Sequence, residues 1–210
     1  SFGLNPIQIS MDDYFVSRKK TPKKADGSYD YECLEAVNTE LFNENVDKLL
    51  NGEEIIAPAY NFITGEPEYK LPMKLGKNDV LVIEGIHALN PEILKNIPRS
   101  RKYKIYISPM TGINIDSHNR ISTSDNRLLR RIIRDNRTRG HKVEKTLETW
   151  KDVREGEEKY IFPFQDDADA TINSALIYEI GVLKTYVEPL LYSVTEGSLA
   201  YTEARRIIEA

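Results

Sequence analysis

Residues 79–86, Asp79-Val80-Leu81-Val82-Ile83-Glu84-Gly85-Ile86, set four consecutive apolar side chains between two carboxylates and then a glycine. So short and so β-branched a run is a strand, and with no polar alternation it reads as a parallel strand buried on both faces. Parallel strands need crossover connections, which are usually helices. Two further runs fit the same frame: Pro6-Ile7-Gln8-Ile9-Ser10 and Tyr103-Lys104-Ile105-Tyr106-Ile107-Ser108. Helical stretches separate the three, so the expected architecture is an α/β domain with a doubly wound, mostly parallel sheet over residues 1–210. Three strands make a thin sheet for 210 residues, and the chain opens on Ser1 at the approach to a strand. Both features lead us to expect an N-terminal truncation.

Between these strands the pattern is ordinary scaffold. Residues 34–50 carry apolar side chains at helical spacing and stop at Asn51-Gly52. Residues 16–31 are charged and punctuated by Pro22 and Asp26-Gly27, which predicts a long mobile loop. The segment 55–62 leads into Thr64-Gly65-Glu66-Pro67, predicting a turn or short hairpin with Tyr60 and Phe62 on one side. Helices are expected from Ser124 or Asp125, either of which could cap, to Gly140, then over 143–154, and after a break at Pro163 over about 174–191. No internal repeat or low-complexity tract is present.

The 29 basic residues against 33 acidic ones leave a formal charge of −4, which argues against a general nucleic-acid binder. No apolar run approaches a bilayer's thickness, and the first residues lack the basic-then-apolar order of a secretion signal, so a cytoplasmic location with no membrane partner is expected. Cys33 is the only cysteine, which rules out an internal disulfide, and His87, His118 and His141 have no soft ligand nearby for zinc. Basicity is local: six arginines fall between Arg127 and Arg139.

Asp12, Asp13 and Glu84 each follow a predicted parallel strand, where ligands of open α/β sheets bind. Such carboxylates could hold Mg²⁺ while phosphate oxygens and water complete its shell, and one could take a proton from a hydroxyl. Solvated strand ends would look the same. Arginine forks bind phosphate bidentately, so the arginine helix reads as a lid-like phosphate-binding segment over about 125–142. A solvated basic face remains open there, and a nucleic-acid stripe is less suited because no aromatics interleave. Tyr60 and Phe62 could stack on a base or belong to the core; Cys33 and Trp150 read as packing residues, and His87 and His118 as structural or exposed. No G-x-x-x-x-G-K-[ST], G-x-S-x-G or H-E-x-x-H occurs in the chain.

Ser10-Met11-Asp12-Asp13-Tyr14-Phe15, Tyr60-Asn61-Phe62, Val82-Ile83-Glu84-Gly85-Ile86 and Arg127-Leu128-Leu129-Arg130-Arg131-Ile132-Ile133-Arg134-Asp135 with Arg139-Gly140 together resemble the uridine kinase and phosphoribulokinase family, in order and separation, over about residues 5–195. The chain also resembles a bacterial subgroup in which this domain can follow a threonyl-tRNA-synthetase-like N-terminal region. The resemblance implies a P-loop NTPase-like fold and phosphorylation of a nucleoside (uridine- or cytidine-like) hydroxyl with ATP and Mg²⁺ as cofactors. It makes Asp12 the catalytic base and a metal partner, Glu84 a second acid at the metal, and Glu32 a ribose ligand. It also makes Tyr60, Phe62 and His141 substrate-binding, and Arg131, Arg134 and Arg139 phosphate-binding. Gly65 stands near a base-contacting histidine of the pyrimidine kinases, and His141 replaces an arginine. The family's phosphate loop would precede Ser1, so the 210 residues alone are expected to be inactive.

Two other classes stay open: a non-catalytic nucleotide- or RNA-binding domain using the arginine helix, and a structural fragment that forms a homo-oligomer across an open sheet edge.

Overall fold

The computed structural model describes residues 3–110 and 122–209. It divides into two compact units, Ser1–Tyr103 with Gly156–Asp167, and Lys104–Glu155 with Ala168–Ala210. Parallel strands combined with helices make the chain the α/β type expected, consistent with a P-loop NTPase-like kinase fold.

In the first unit, β1 (Asn5–Ser10) lies parallel to β4 (Asp79–Glu84), in a register that sets Asn5 opposite Asp79 and Ser10 opposite Glu84. Helix α1 (Thr39–Leu50) packs Phe42, Val46 and Leu49 into a core that takes Ile9, Leu81 and Ile83 from this ladder. Only one face is covered. Val80 and Val82 remain 42% and 43% exposed, so the expectation of a strand buried on both faces fails. The reason is that β4 alternates, turning Leu81 and Ile83 to the core and Val80, Val82 and Glu84 outward.

The predicted helix over 34–50 begins late. Residues 34–36 form a single 3-10 turn, and Val37 is extended and bridged to Phe15. Val16 N–H donates to Ala36 O and Asn38 N–H to Tyr14 O, so the backbone there is spent on the neighbouring chain. Asn38 then caps α1 by accepting from Leu41 N–H at 3.1 Å. Strands β2 (Ile55–Asn61) and β3 (Glu66–Met73) form the hairpin allowed for by the sequence, with a register shift between Ile56 and Pro58, where proline has no N–H to give. Asn61 closes its turn, accepting from Ile63 and Thr64 N–H at 3.0 and 3.1 Å.

The predicted mobile loop 16–31 is tied down instead. Arg18 N–H donates to Gly65 O at 2.8 Å, Lys23 bridges to Tyr29, and Asp30 N–H reaches Pro22 O.

In the second unit β5 (Ile105–Ser108) runs parallel to β6 (Ala170–Asn173), a strand with too little apolar pattern to be expected. Helix α2 (Thr123–Thr138) is capped by Ser122, whose hydroxyl accepts from Asp125 N–H; neither Ser124 nor Asp125 takes that role. The expected helix over 143–154 divides at Thr149 into α3 (Val143–Glu148) and α4 (Trp150–Tyr160). Helix α5 (Glu179–Tyr192) starts later than expected, and α6 (Tyr201–Glu209) was not expected. Leu128, Ile132, Val143, Leu147, Val187 and Leu191 form this unit's core, with Trp150 packed against it. His118 lies outside the described residues. No helix among the described residues is long and apolar enough to cross a membrane.

Candidate functional site

The first unit brings its carboxylates to one strand edge through packing. A 3-10 turn over Met11–Tyr14 follows β1, and its three-residue period aims Met11 and Tyr14 into the core, each 2% exposed. Tyr14 meets Phe42 edge-on and its hydroxyl accepts from Asn45 Nδ2 at 3.2 Å. Asp12 and Asp13 are thereby left half-buried. Asp13 pairs with Lys70, and both carboxylates stand at the carboxyl end of β1.

Glu84 closes β4 opposite Ser10. The glycine after it has a physical cause: a Cβ on Gly85 would lie 2.7 Å from the Met11 Cβ, so only glycine lets the two strand ends come this close. Asp12 and Glu84 thus share one end of a parallel pair. Among the described residues no group of three or more metal-ligating side chains exists. A pair of hard oxygen donors is nevertheless what Mg²⁺ uses when phosphate and water complete its shell.

Glu32 is held half-buried at the end of the basic loop. Its N–H donates to Asp30 Oδ1 at 3.1 Å, and its side chain lies over Gly156 of α4, where an added Cβ would come within 2.8 Å of the Glu32 Cβ. Beside it His87 is buried edge-on to Tyr160, with ring centroids 5.0 Å apart. Burial pushes the His87 imidazole below its ordinary range, the backbone of Cys33 and Glu32 opposing only in part. Neither ring nitrogen has a directed partner among the described residues. Cys33 is a buried free thiol whose pKa burial raises, as a packing residue should be.

Tyr60 and Phe62 do fall on one side, 5.2 Å apart, and Phe15 joins them at 5.4 and 6.3 Å. Tyr60 is buried while Phe62 and Phe15 stay partly open. Burial raises the Tyr60 phenol, with the nearby Arg18 guanidinium pulling the other way. The Tyr60 hydroxyl itself has no directed partner among the described residues.

In the second unit four of the six arginines take two different roles. Arg130 forks onto Glu179 at 2.5 and 2.6 Å and donates to Ser174 O at 2.8 Å, so its role is to join α2 to α5. That fork holds the Glu179 carboxyl below its usual range. Arg131, Arg134 and Arg139 instead gather around Asp135, at 3.3, 2.9 and 3.6 Å. Asp135 is 1% exposed, and its backbone carbonyl accepts from both Arg139 and His141 N–H. The return of His141 is permitted by Gly140, whose φ of +65° is left-handed. Burial lowers the His141 imidazole below its ordinary range; Asp135 opposes this, and Arg139, Arg131 and Lys145 reinforce it.

Three contributors escaped the sequence reading. Asp135 was one residue of a motif with no role of its own, although a charged residue in line with Leu128 and Ile132 was a signal that it faces inward. Gly156, at mid-helix, was another such signal. Arg18 gave none.

A profile described as the Phosphoribulokinase / Uridine kinase family matches residues 6–180. The chain is 26% identical over 171 residues to a uridine kinase of Anoxybacillus flavithermus, covering 81% of this chain and 73% of that protein. It is 27% identical over 145 residues to a uridine kinase of Mycoplasma genitalium, covering 69% and 60%. It is 28% identical over 168 residues to uridine kinase-like protein 5 of Arabidopsis thaliana, covering 79% of this chain and 32% of that longer protein. A match across so much of the sequence shows that the chain belongs to the phosphoribulokinase / uridine kinase family.

Proposed function

We propose that this chain carries the acceptor side of an ATP-dependent nucleoside kinase, with a uridine- or cytidine-like nucleoside as acceptor. The observation that supports this most is the placement of Asp12, just after β1, and Glu84, the last residue of β4, at the same end of a parallel strand pair, with Asp13 paired to Lys70. Asp12 is the base that takes the proton from the acceptor hydroxyl as that oxygen attacks the γ-phosphorus of ATP and the bond from that phosphorus to the β–γ bridging oxygen breaks, releasing ADP. Asp12 and Glu84 would hold Mg²⁺, which when bound neutralises charge on the phosphate oxygens. Glu32 accepts hydrogen bonds from ribose hydroxyls, and Tyr60 and Phe62 face the base, with His141 as a further substrate contact. Arg131, Arg134 and Arg139 present guanidinium groups to phosphate.

The G-x-x-x-x-G-K-[ST] pattern does not occur among these 210 residues, and phosphoryl transfer in this reading needs a segment that supplies it. A threonyl-tRNA-synthetase-like region as fusion partner and a cytoplasmic site of action belong to the same proposal.

The test is Asp12→Asn in a protein that supplies such a segment, with MgATP and uridine. Turnover falls by about 10² to 10⁴, the usual worth of a positioned base, while uridine binding measured by calorimetry is retained. Undiminished turnover overturns the assignment. Uridine-independent, steeply salt-sensitive RNA binding that is lost in Arg134→Ala would replace it with the RNA-binding alternative.

A further inference from the structure

We infer that Arg18 sets the base preference of the acceptor site, favouring uracil over cytosine; the inference rests on the nucleoside reading above. Gly65 has a left-handed φ of +76°, and a Cβ built on it would lie 2.6 Å from Arg18 Nε and 2.7 Å from Cζ. The guanidinium therefore fills the volume that any side chain at position 65 would need. It is held there at both ends. Arg18 N–H donates to Gly65 O at 2.8 Å, and Nη2 donates to Phe62 O at 2.9 Å.

This places a fixed positive group at the edge of the Phe15, Tyr60 and Phe62 cluster. A guanidinium offers five N–H donors and no acceptor. Its bond to Phe62 O engages one of these donors, and the buried Tyr60 hydroxyl lies next to it, its phenol pulled down by the Arg18 charge and hydrogen bonding. A planar base stacked on the open rings would bring its polar edge to these donors. The 4-keto oxygen of uracil accepts from them. The 4-amino group of cytosine donates, so that donor would face donor, and both would lose water without replacement.

A purely structural role for Arg18, tying the basic loop to the hairpin, would weaken both nucleosides together and leave their ratio alone. The ratio is therefore the readout. Uridine and cytidine are titrated calorimetrically into the 210-residue chain, and the wild type is expected to bind uridine about tenfold tighter, the worth of one charge-assisted hydrogen bond. In Arg18→Met, which keeps the stem and loses the donors, the ratio falls to about one. Gly65→Ala expels the guanidinium without removing it, and gives the same collapse by an independent route. Circular dichroism of each variant confirms folding. An unchanged ratio in either folded variant overturns the role of Arg18, as does a wild type that favours cytidine or neither base. Failure of the wild type to bind any nucleoside overturns the nucleoside reading itself, and the inference with it.

Discussion

His87 shows how one buried side chain couples this protein to pH. Its imidazole is pushed below the ordinary value of 6.5 in the folded state, while the unfolded chain keeps that value. Below about pH 6.5 the unfolded chain binds a proton that the folded one refuses, so stability is complete above that pH and is lost as pH falls toward the folded value. The slope is at most about 1.4 kcal/mol per pH unit for this one group. Urea unfolding at pH 7.5 and 5.5 measures it, and His87→Phe removes the part that His87 supplies, leaving the contribution of His141. An identical pH slope in the variant would show that His87 titrates normally. At this scale Asp12, Glu84 and the three arginines stand out in the sequence through strand-end placement, locally clustered charge and the family resemblance. That Lys70 neutralises Asp13, or that Asp135 gathers three guanidinium groups, depends on folding distances that no spacing records.

Among the elements, α4 carries the clearest conflict between local preference and packing. Gly156 sits inside a helix, where alanine would be favoured by about 1 kcal/mol. Yet alanine's Cβ would come 2.8 Å from the Cβ of Glu32, closer than two carbons pack, and that Cβ is fixed to a backbone whose N–H is held by Asp30. Gly156→Ala is therefore expected to lower the thermal midpoint despite the helix preference, and, if Glu32 binds the nucleoside, to drop its affinity about fivefold, the loss of roughly one hydrogen bond. Unaltered affinity would show that Glu32 does not need its present place. Element boundaries were legible only where a single rule decided them. Gly140 ends α2 as expected, because a left-handed residue is required there. The late start of α1 and the division at Thr149 were not legible. In α1 the deciding factor is the bridge of Val37 to Phe15, a contact between segments more than twenty residues apart.

Across the whole molecule, each unit carries its own core and leaves apolar strand surface uncovered. Val80 and Val82 are open in the first unit; in the second, Ile105, Ile107 and Ile172 are 42%, 60% and 46% exposed. Contiguous apolar surface of this kind binds apolar dyes and favours association. The 210-residue chain is expected to enhance the fluorescence of an anilinonaphthalene dye in its native state, and to sediment faster as its concentration rises. Val82→Thr with Ile107→Thr should reduce both by about half, with little change in stability, since the lost methyl groups are not packed. A native chain that leaves the dye dark would show these faces to be too small or too scattered to act together. The α/β class was legible because the runs at 79–84 and 105–108 are strongly apolar. Their exposed faces were not, since an apolar pattern tells which side chains prefer burial and is silent about what is available to bury them.

The gathering of Arg131, Arg134 and Arg139 on one carboxylate has a consequence for inheritance. A lineage that lost Asp135 alone would leave three like charges crowded around an empty centre, whereas one that lost a single arginine would still leave two for the carboxylate. Replacement of Asp135 is thus expected to come together with loss of arginines around it, while any one arginine can change alone.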